Sequence, residues 1–595
     1  DVLNPLSNLP DLNYVNLKGV INPQESTLAI IVDHSDPSEP QTRLFTTKDG
    51  TVVAVEGDRT LVLSAGTWAW RRLTLGGGVD GDEHFELEID ELTNELIVRA
   101  FGEEQRFNIA DFDQILFDGG NGDDSLTIIG HFPIDLYAFG GAGDDILMGG
   151  HGTNYLFGGA GNDTLIAQGG TSFLTGGRGD DTYIFHDNWG TAFVNENPNG
   201  GTDTIDFSRV SQDLIINVRG TSRTADGLNT VAHEANTIER FIGGEGDDVM
   251  NLHREEGGLL ELGDGVLIWD RVAITHSGIE KIDVRFVNKD GNRTGVVRVL
   301  ADQDYSGREL RIEARGIDIR ASIKAAGLSL QATNIIGISQ NFNVETGLGR
   351  LITLEADTMR IAARNGVGDI NMPLYVKAGT LEAQTEGAAG IYIVTLTDTI
   401  IGNVEFGTIG ATTAGLKTGA GGNIHLVNLG GRLIVNEEIQ ASGGRVVITG
   451  ERMDINANIA SVREINGQIF RGTLVLQPLS TRTAIGMATA FNPLANQLHF
   501  SAAEINRFMN GFDSSSPATF LSNGRLVTLP AVSGINIGRA DGRHVITLDT
   551  FTYTESFTFR APNAFGRFDI IGTLTLAPSI LDGQFPSLSF LGWRI

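Results

Sequence analysis

Residues 140–184 read GGAGDDILM, GGHGTNYLF, GGAGNDTLI, AQGGTSFLT and GGRGDDTYI, five nonapeptides in strict register. The pattern is Gly-Gly-x-Gly-x-Asp-x-U-x, with U a large apolar residue. Adjacent glycines let the backbone take positive φ in a tight turn, and the apolar residue points inward from a short strand. The Asp and the turn carbonyls offer hard oxygen ligands of the kind calcium takes. Such a chain is expected to coil only when calcium fills its turns.

Two nonapeptides make one coil of a parallel β-roll, so residues eighteen apart stack on the same edge. Asp145, Asp163 and Asp181 are spaced in that way. The intervening repeats put Asn154 and Ser172 at the ligand position, and neither is a carboxylate. One edge is therefore expected to bind calcium well and the other poorly.

These residues resemble the RTX (repeats-in-toxin) family, proteins exported by Gram-negative bacteria. The resemblance implies Ca2+ between the turns of Asp145 and Asp163, and again between those of Asp163 and Asp181. It adds as ligands the carbonyls of the glycine turns that open at Gly140, Gly158 and Gly176. It further implies a secreted protein of the cell surface, exported unfolded and folding when it meets calcium outside.

Flanking segments extend the block. GGNGDDSLT at 119–127 is a full match, and twenty-one residues separate Gly119 from Gly140, so Asp124 is a candidate to stack on Asp145 across a longer turn. Downstream, Asp203 follows Gly201 in an irregular coil and is a weaker candidate ligand. GGEGDDVMN at 243–251 puts Asp248 at the ligand position, with no stacking partner in the adjacent sequence.

Composition agrees with an extracellular setting. Lys and Arg total 43 against 74 Asp and Glu, a net charge of −31, which repels nucleic acid and anionic membrane and calls for divalent cations. Glycine, at 77 of 595 residues, is roughly twice its usual share while proline is only 15, the balance of a turn-rich β protein. The chain has no cysteine, so ions and stacked strands must do the stapling. No stretch approaches eighteen consecutive apolar residues, so no membrane span is expected. The opening DVLNPLSNLP has no leader character and reads as an excerpt or processed product.

The expected fold is all-β and elongated, an RTX parallel β-roll followed by β-helix or β-solenoid-like modules. Residues 1–118 read as a β-rich domain, either a sandwich or an irregular solenoid lead-in, and 119–252 as the roll. Residues 253–472 carry short alternating strands whose starts at Leu310, Leu328 and Leu351, then Ile424 and Val446, recur at the length of one β-helix coil. A β-sandwich would give such strands without that recurrence. Residues 473–595 form a further β-rich module, with a capping box at Ser501 and Glu504 opening one short helix. The texture of residues 300–580 resembles the repeat units of giant filamentous-haemagglutinin-like surface proteins.

Other motifs carry bland readings. His233-Glu234 begins an HExxH that ends in Thr237, so a second zinc ligand is missing. Glu355, Asp357, Arg360 and Arg364 lie close enough to suggest an active-site cluster, yet alternating solvated faces make such clusters routinely. Arg178-Gly179-Asp180 spells an adhesion tripeptide but occupies a calcium turn. Trp68, Trp70 and Arg71-Arg72 form a candidate carbohydrate-stacking patch. The functional expectation is a non-enzymatic, calcium-stabilised structural or adhesive protein that self-associates into a fibre or lattice through apolar Leu588, Phe590, Leu591 and Trp593. A carbohydrate or cell-surface ligand is a further candidate partner. The rival from another class is a secreted polysaccharide-acting enzyme that uses the RTX block for export and folding.

Overall fold

A computed structural model describes residues 28–33, 44–46, 52–54, 59–66, 69 and 80–592, except 197–199, 235–236, 256–258, 264–265, 270–271, 334–336, 339–350, 405–413, 420, 467, 489–496, 511–518, 523–524, 529–531, 554, 564–565 and 578–585. The chain falls into two compact units, Asp1–His253 with Arg271–Ile282, and Arg254–Asp270 with Asp283–Ile595. Both are almost wholly β, with long parallel sheets.

In the first unit the chain alternates between two parallel sheets. One takes β1 (Arg59–Leu63), β3 (Gln114–Asn121), β5 (Asp135–Ala142), β7 (Thr153–Ala160), β9 (Thr171–Arg178) and β11 (Thr191–Val194). The other takes β2 (His84–Asp90), β4 (Ser125–Ile129), β6 (Ile146–Met148), β8 (Thr164–Ala167), β10 (Thr182–His186) and β12 (Thr204–Arg209). After an antiparallel excursion of the second sheet through Glu95–Ala100 and Glu103–Asn108, the chain from Gln114 to Arg209 alternates strictly between sheets with parallel pairing, the topology of a roll. The turns from the first sheet to the second form one edge, and the return turns form the other.

The nonapeptide's apolar residue becomes the core. Phe85, Leu126, Leu147, Leu165, Tyr183 and Ile205 are register partners in the second sheet, each at most 1% exposed. Phe117, Ala138, Leu156, Leu174 and Val194 face them as a column of the first sheet. A side-chain period of two sends the alternate residues outward, where Tyr137, Tyr155, Phe173 and Phe193 stack with ring centroids 4.7, 4.9 and 5.1 Å apart.

The second unit repeats the principle with longer strands. Gln303–Ala314, Ile323–Ala332, Leu354–Ala363 and Leu374–Thr385 pair in parallel register, so that Leu310, Leu328, Met359 and Leu381 form one fully buried column. Further on, Ile424 pairs with Val446. Parallel pairing is what the recurrence of Leu310, Leu328, Ile424 and Val446 implies and what an antiparallel sandwich lacks. Leu351 departs from the expectation: it lies just before its strand, 46% exposed, and Met359 takes the column position. An insertion between the strands displaces any count made by residue number. The one described α-helix, Ala502–Asn510, opens on the expected box: Ser501 N donates to Glu504 Oε2 at 2.8 Å and Glu504 N to Ser501 Oγ at 3.3 Å.

Candidate metal centre

The site is built by the turns that leave the first sheet. Gly141 and Gly143 adopt φ of +115° and +133°, and Gly159 and Gly161 repeat these values at +122° and +140°. That left-handed backbone is one L side chains rarely take, and it swings the chain from one sheet to the other within a few residues. The first glycine of each turn has a different reason. A Cβ on Gly140, Gly158 or Gly176 would collide with Oδ2 of Asp145, Asp163 or Asp181, respectively. The glycine thus clears the space that the carboxylate oxygen occupies.

Five aspartates form one column on this edge. Asp124 N donates to Asp145 Oδ1 at 2.7 Å, Asp145 N to Asp163 Oδ1 at 2.8 Å, Asp163 N to Asp181 Oδ1 at 2.7 Å and Asp181 N to Asp203 Oδ1 at 3.0 Å. Each Oδ1 is thereby fixed by the coil before it. The partner oxygens, Oδ2 of Asp124, Asp145, Asp163 and Asp181, are buried and accept no hydrogen bond. All five residues are at most 1% exposed.

Such an arrangement is costly for the charged form. Burial, reinforced by neighbouring carboxylates, raises Asp124 to about 8, Asp145 to about 7, Asp163 to about 6, Asp181 to about 8 and Asp203 to about 6. Unpartnered buried carboxylate oxygens in register, beside turn carbonyls, are a donor set of hard oxygens alone, and that set fits calcium. When bound, the cation would supply the positive charge that the column lacks.

The opposite edge is closed by hydrogen bonds. Asn154 Nδ2 donates to Gly150 O at 3.0 Å, Gly152 O at 3.2 Å and Ser172 Oγ at 3.3 Å, while Gly150 N donates to Asn154 Oδ1 at 2.8 Å. An amide donor therefore satisfies turn carbonyls that a cation would otherwise meet. Asp248 belongs to a turn of this second kind. Gly244 N donates to its Oδ2 at 2.6 Å, as Gly150 N does to Asn154, and Leu214 N to its Oδ1 at 2.9 Å. Both Asp248 oxygens are engaged, and the column of five does not include it. Its own amide donates to Glu280 Oε2 at 2.9 Å.

Three glutamates join this edge that spacing alone did not reveal. Glu83 N donates to Asp124 Oδ1 at 2.7 Å, and His84 and Phe85 pair with Ser125 and Leu126, so Glu83 holds the aspartate position one coil earlier. The signal was present in GVDGDEHFE at 78–86, a degenerate nonapeptide with Glu83 at its sixth position. Glu239 holds the same position one coil after Asp203, whose amide donates to Glu239 Oε2 at 3.0 Å. No glycine pattern marks it. Glu196 lies with Asp181 and Asp203, each offering a carboxylate oxygen within 4.8 Å of the others.

Several of the remaining candidates make structural contacts. His233 is buried with Nδ1 3.0 Å from Glu234 O and Nε2 2.9 Å from Asn217 O. Glu355 pairs with Lys377 at 2.9 Å and Arg360 with Glu382 at 3.4 Å, both across neighbouring parallel strands, and Arg364 lies 3.6 Å from Glu386. Asp180 of the tripeptide accepts from Thr202 N at 2.7 Å within the turn ladder. Trp68, Trp70, Arg71 and Arg72 lie outside the described residues.

The family model of the RTX calcium-binding nonapeptide repeat matches residues 137–165 and 158–185, the heart of the column. No curated protein and no solved structure matches the chain. Among the described residues, no helix is long and apolar enough to cross a membrane.

Proposed function

We propose that this chain is a secreted structural or adhesive protein of a bacterial cell surface, stapled by calcium along one edge of its roll. The observation that carries the reading is the column of buried carboxylates, four of which hold an oxygen with no hydrogen-bond partner. In the calcium-free chain these carboxylates repel one another and resist burial, so the roll is expected to order only where calcium is plentiful, which is outside the cell. A chain without cysteine suits that route, since no thiol needs protection on the way.

The structural or adhesive part of the reading rests on repetition and on an edge. Parallel register through the second unit gives a repeating scaffold, in keeping with the haemagglutinin-like texture of residues 300–580. Its last strand, Leu588–Gly592, pairs with Phe557–Ala561 on one side and has no partner strand on the other among the described residues. Leu591 there is 52% exposed. An apolar, half-paired strand is a surface on which a second copy can add. Electron microscopy and light scattering of the full chain in calcium and in EGTA test this, alongside a variant lacking residues 586–595. Calcium-dependent assemblies that the truncation abolishes are expected; a chain that stays monomeric in calcium, or a truncation that assembles equally well, would overturn the assembly reading.

A further inference from the structure

Glu196 stands where the repeat demands glycine. Register pairing from Thr171 with Thr191 to Leu174 with Val194, continued by the bond from Asn195 N to Leu174 O, brings Glu196 alongside Gly176. In the three preceding coils that slot holds Gly140, Gly158 and Gly176, each overlaid by an aspartate Oδ2. Glu196 instead sends its side chain back toward the earlier coil. Its Oε1 lies 2.5 Å from where a Cβ on Gly176 would sit, beside Asp181 Oδ2.

Asp203 approaches the same point from the next coil. Carboxylate oxygens of Asp181, Glu196 and Asp203 lie within 4.8 Å of one another, and all three residues are buried. Asp181 is 0% exposed, and its Oδ2, aimed into the cluster, accepts no hydrogen bond. The Tyr183 hydroxyl donates to Glu196 Oε1 and accepts from Gly176 N at 2.7 Å, which fixes the glutamate in place.

We propose that Asp181, Glu196 and Asp203 form a three-carboxylate site for one hard divalent cation, with Glu196 a ligand outside the nonapeptide pattern. The proposal rests on the reading that the aspartate column holds calcium, and it assigns that column an unequal member. Each step from Asp145 to Asp163, or from Asp163 to Asp181, offers two carboxylates. Here there are three, and carboxylate count is a principal determinant of affinity in oxygen-ligand sites. Three buried carboxylates gathered this closely, Asp181 among them with its partnerless Oδ2, concentrate negative charge that a bound cation would offset. This site is therefore the first to fill.

Terbium(III), a calcium-sized trivalent probe, reads the site directly because a tyrosine beside the ion sensitises its emission, and Tyr183 touches Glu196. Titration of the full chain under tyrosine excitation is expected to show an early phase of about one ion per chain. Tyr183→Phe, which removes both the phenol antenna and the hydroxyl that holds Glu196, should remove most of that emission. Glu196→Gln should weaken the early phase by at least about tenfold, the scale on which loss of one supporting group acts at metal sites. Glu196→Gly, which restores the glycine of the neighbouring coils and so keeps the coil foldable, should weaken it likewise, with circular dichroism in calcium confirming an intact fold. Equal terbium affinity in wild type and both Glu196 variants would overturn the proposal and leave the column reading standing. Absence of both terbium and calcium binding to the wild-type chain would overturn the two together.

Discussion

Replacing Asp163 by Asn separates the cost of the calcium-free column from its benefit when loaded. Asp163 is 1% exposed; its Oδ1 accepts from Asp145 N at 2.8 Å and its Oδ2 accepts nothing. Burial, then the nearby Asp144, raises its carboxyl from 3.8 to about 6. At neutral pH a carboxylate kept charged against that shift destabilises the calcium-free fold by about 3 kcal/mol. Asparagine retains Oδ1 and its bond to the Asp145 amide, and it turns the partnerless oxygen into a donor. Asn154 shows what such a donor does in a sister turn, where it satisfies Gly150 O and Gly152 O. In EGTA, Asp163→Asn should therefore stabilise residues 137–185, slowing their hydrogen exchange in the full chain by up to about 100-fold. In saturating calcium the order should reverse, because the variant has lost a charged ligand. Faster or unchanged exchange in EGTA would refute the electrostatic argument, and an equal calcium-induced gain in both proteins would refute the role of Asp163 as a ligand.

Further expectations concern the two edges and the turn glycines. Asn154→Asp combined with Ser172→Asp should raise the calcium stoichiometry by about one ion per chain in isothermal titration calorimetry, and no increase would show that something other than ligand identity closes that edge. Gly158→Ala should cost about 1–3 kcal/mol and weaken calcium binding, because its Cβ would overlap Asp163 Oδ2. Gly130→Ala, with a φ of +72° and open space around the new methyl, should leave calcium affinity unchanged in the same titration. The calcium-free roll should also lose stability as pH rises. Its column binds more protons folded than unfolded between an ordinary aspartate value near 3.8 and the raised values of about 6 to 8, so stability falls across that window. Thermal melts in EGTA at pH 5 and pH 8 test the sign, and a higher melting point at pH 8 would be incompatible with it.

Much of the site was legible because the nonapeptide encodes its own geometry. Glycine at two turn positions demands left-handed backbone, aspartate two residues on provides the oxygen, and an interval of eighteen stacks one coil on the next, so Asp145, Asp163 and Asp181 could be aligned by counting. Asn154 and Ser172 were legible as a poorer edge for the same reason, since an amide and a hydroxyl bring no charge. Alternation of apolar and polar residues likewise announced β-strands throughout, and Ser501 with Glu504 announced a helix start.

Counting fails wherever the chain inserts residues between coils, because stacking is then decided by which strands pair and not by distance along the sequence. Asp203 follows Asp181 by twenty-two residues and Glu239 follows Asp203 by thirty-six, yet amide-to-carboxylate bonds put all three in one column. Asp248 has a full nonapeptide around it and still falls in a turn of the Asn154 kind, because its strand, Val249–Arg254, pairs with Leu214–Asn217 in the first sheet. Leu351 lost its column place to Met359, and Glu355 and Arg360 separated into ion pairs with different neighbours. Sequence by itself determined the local conformation of each turn and the ligand each turn offers, since both depend on residues within one repeat. Tertiary structure alone decided which turns share an edge where insertions break the interval of eighteen, and that Glu196 reaches Asp181, since those depend on hydrogen-bonded register between strands distant in the chain.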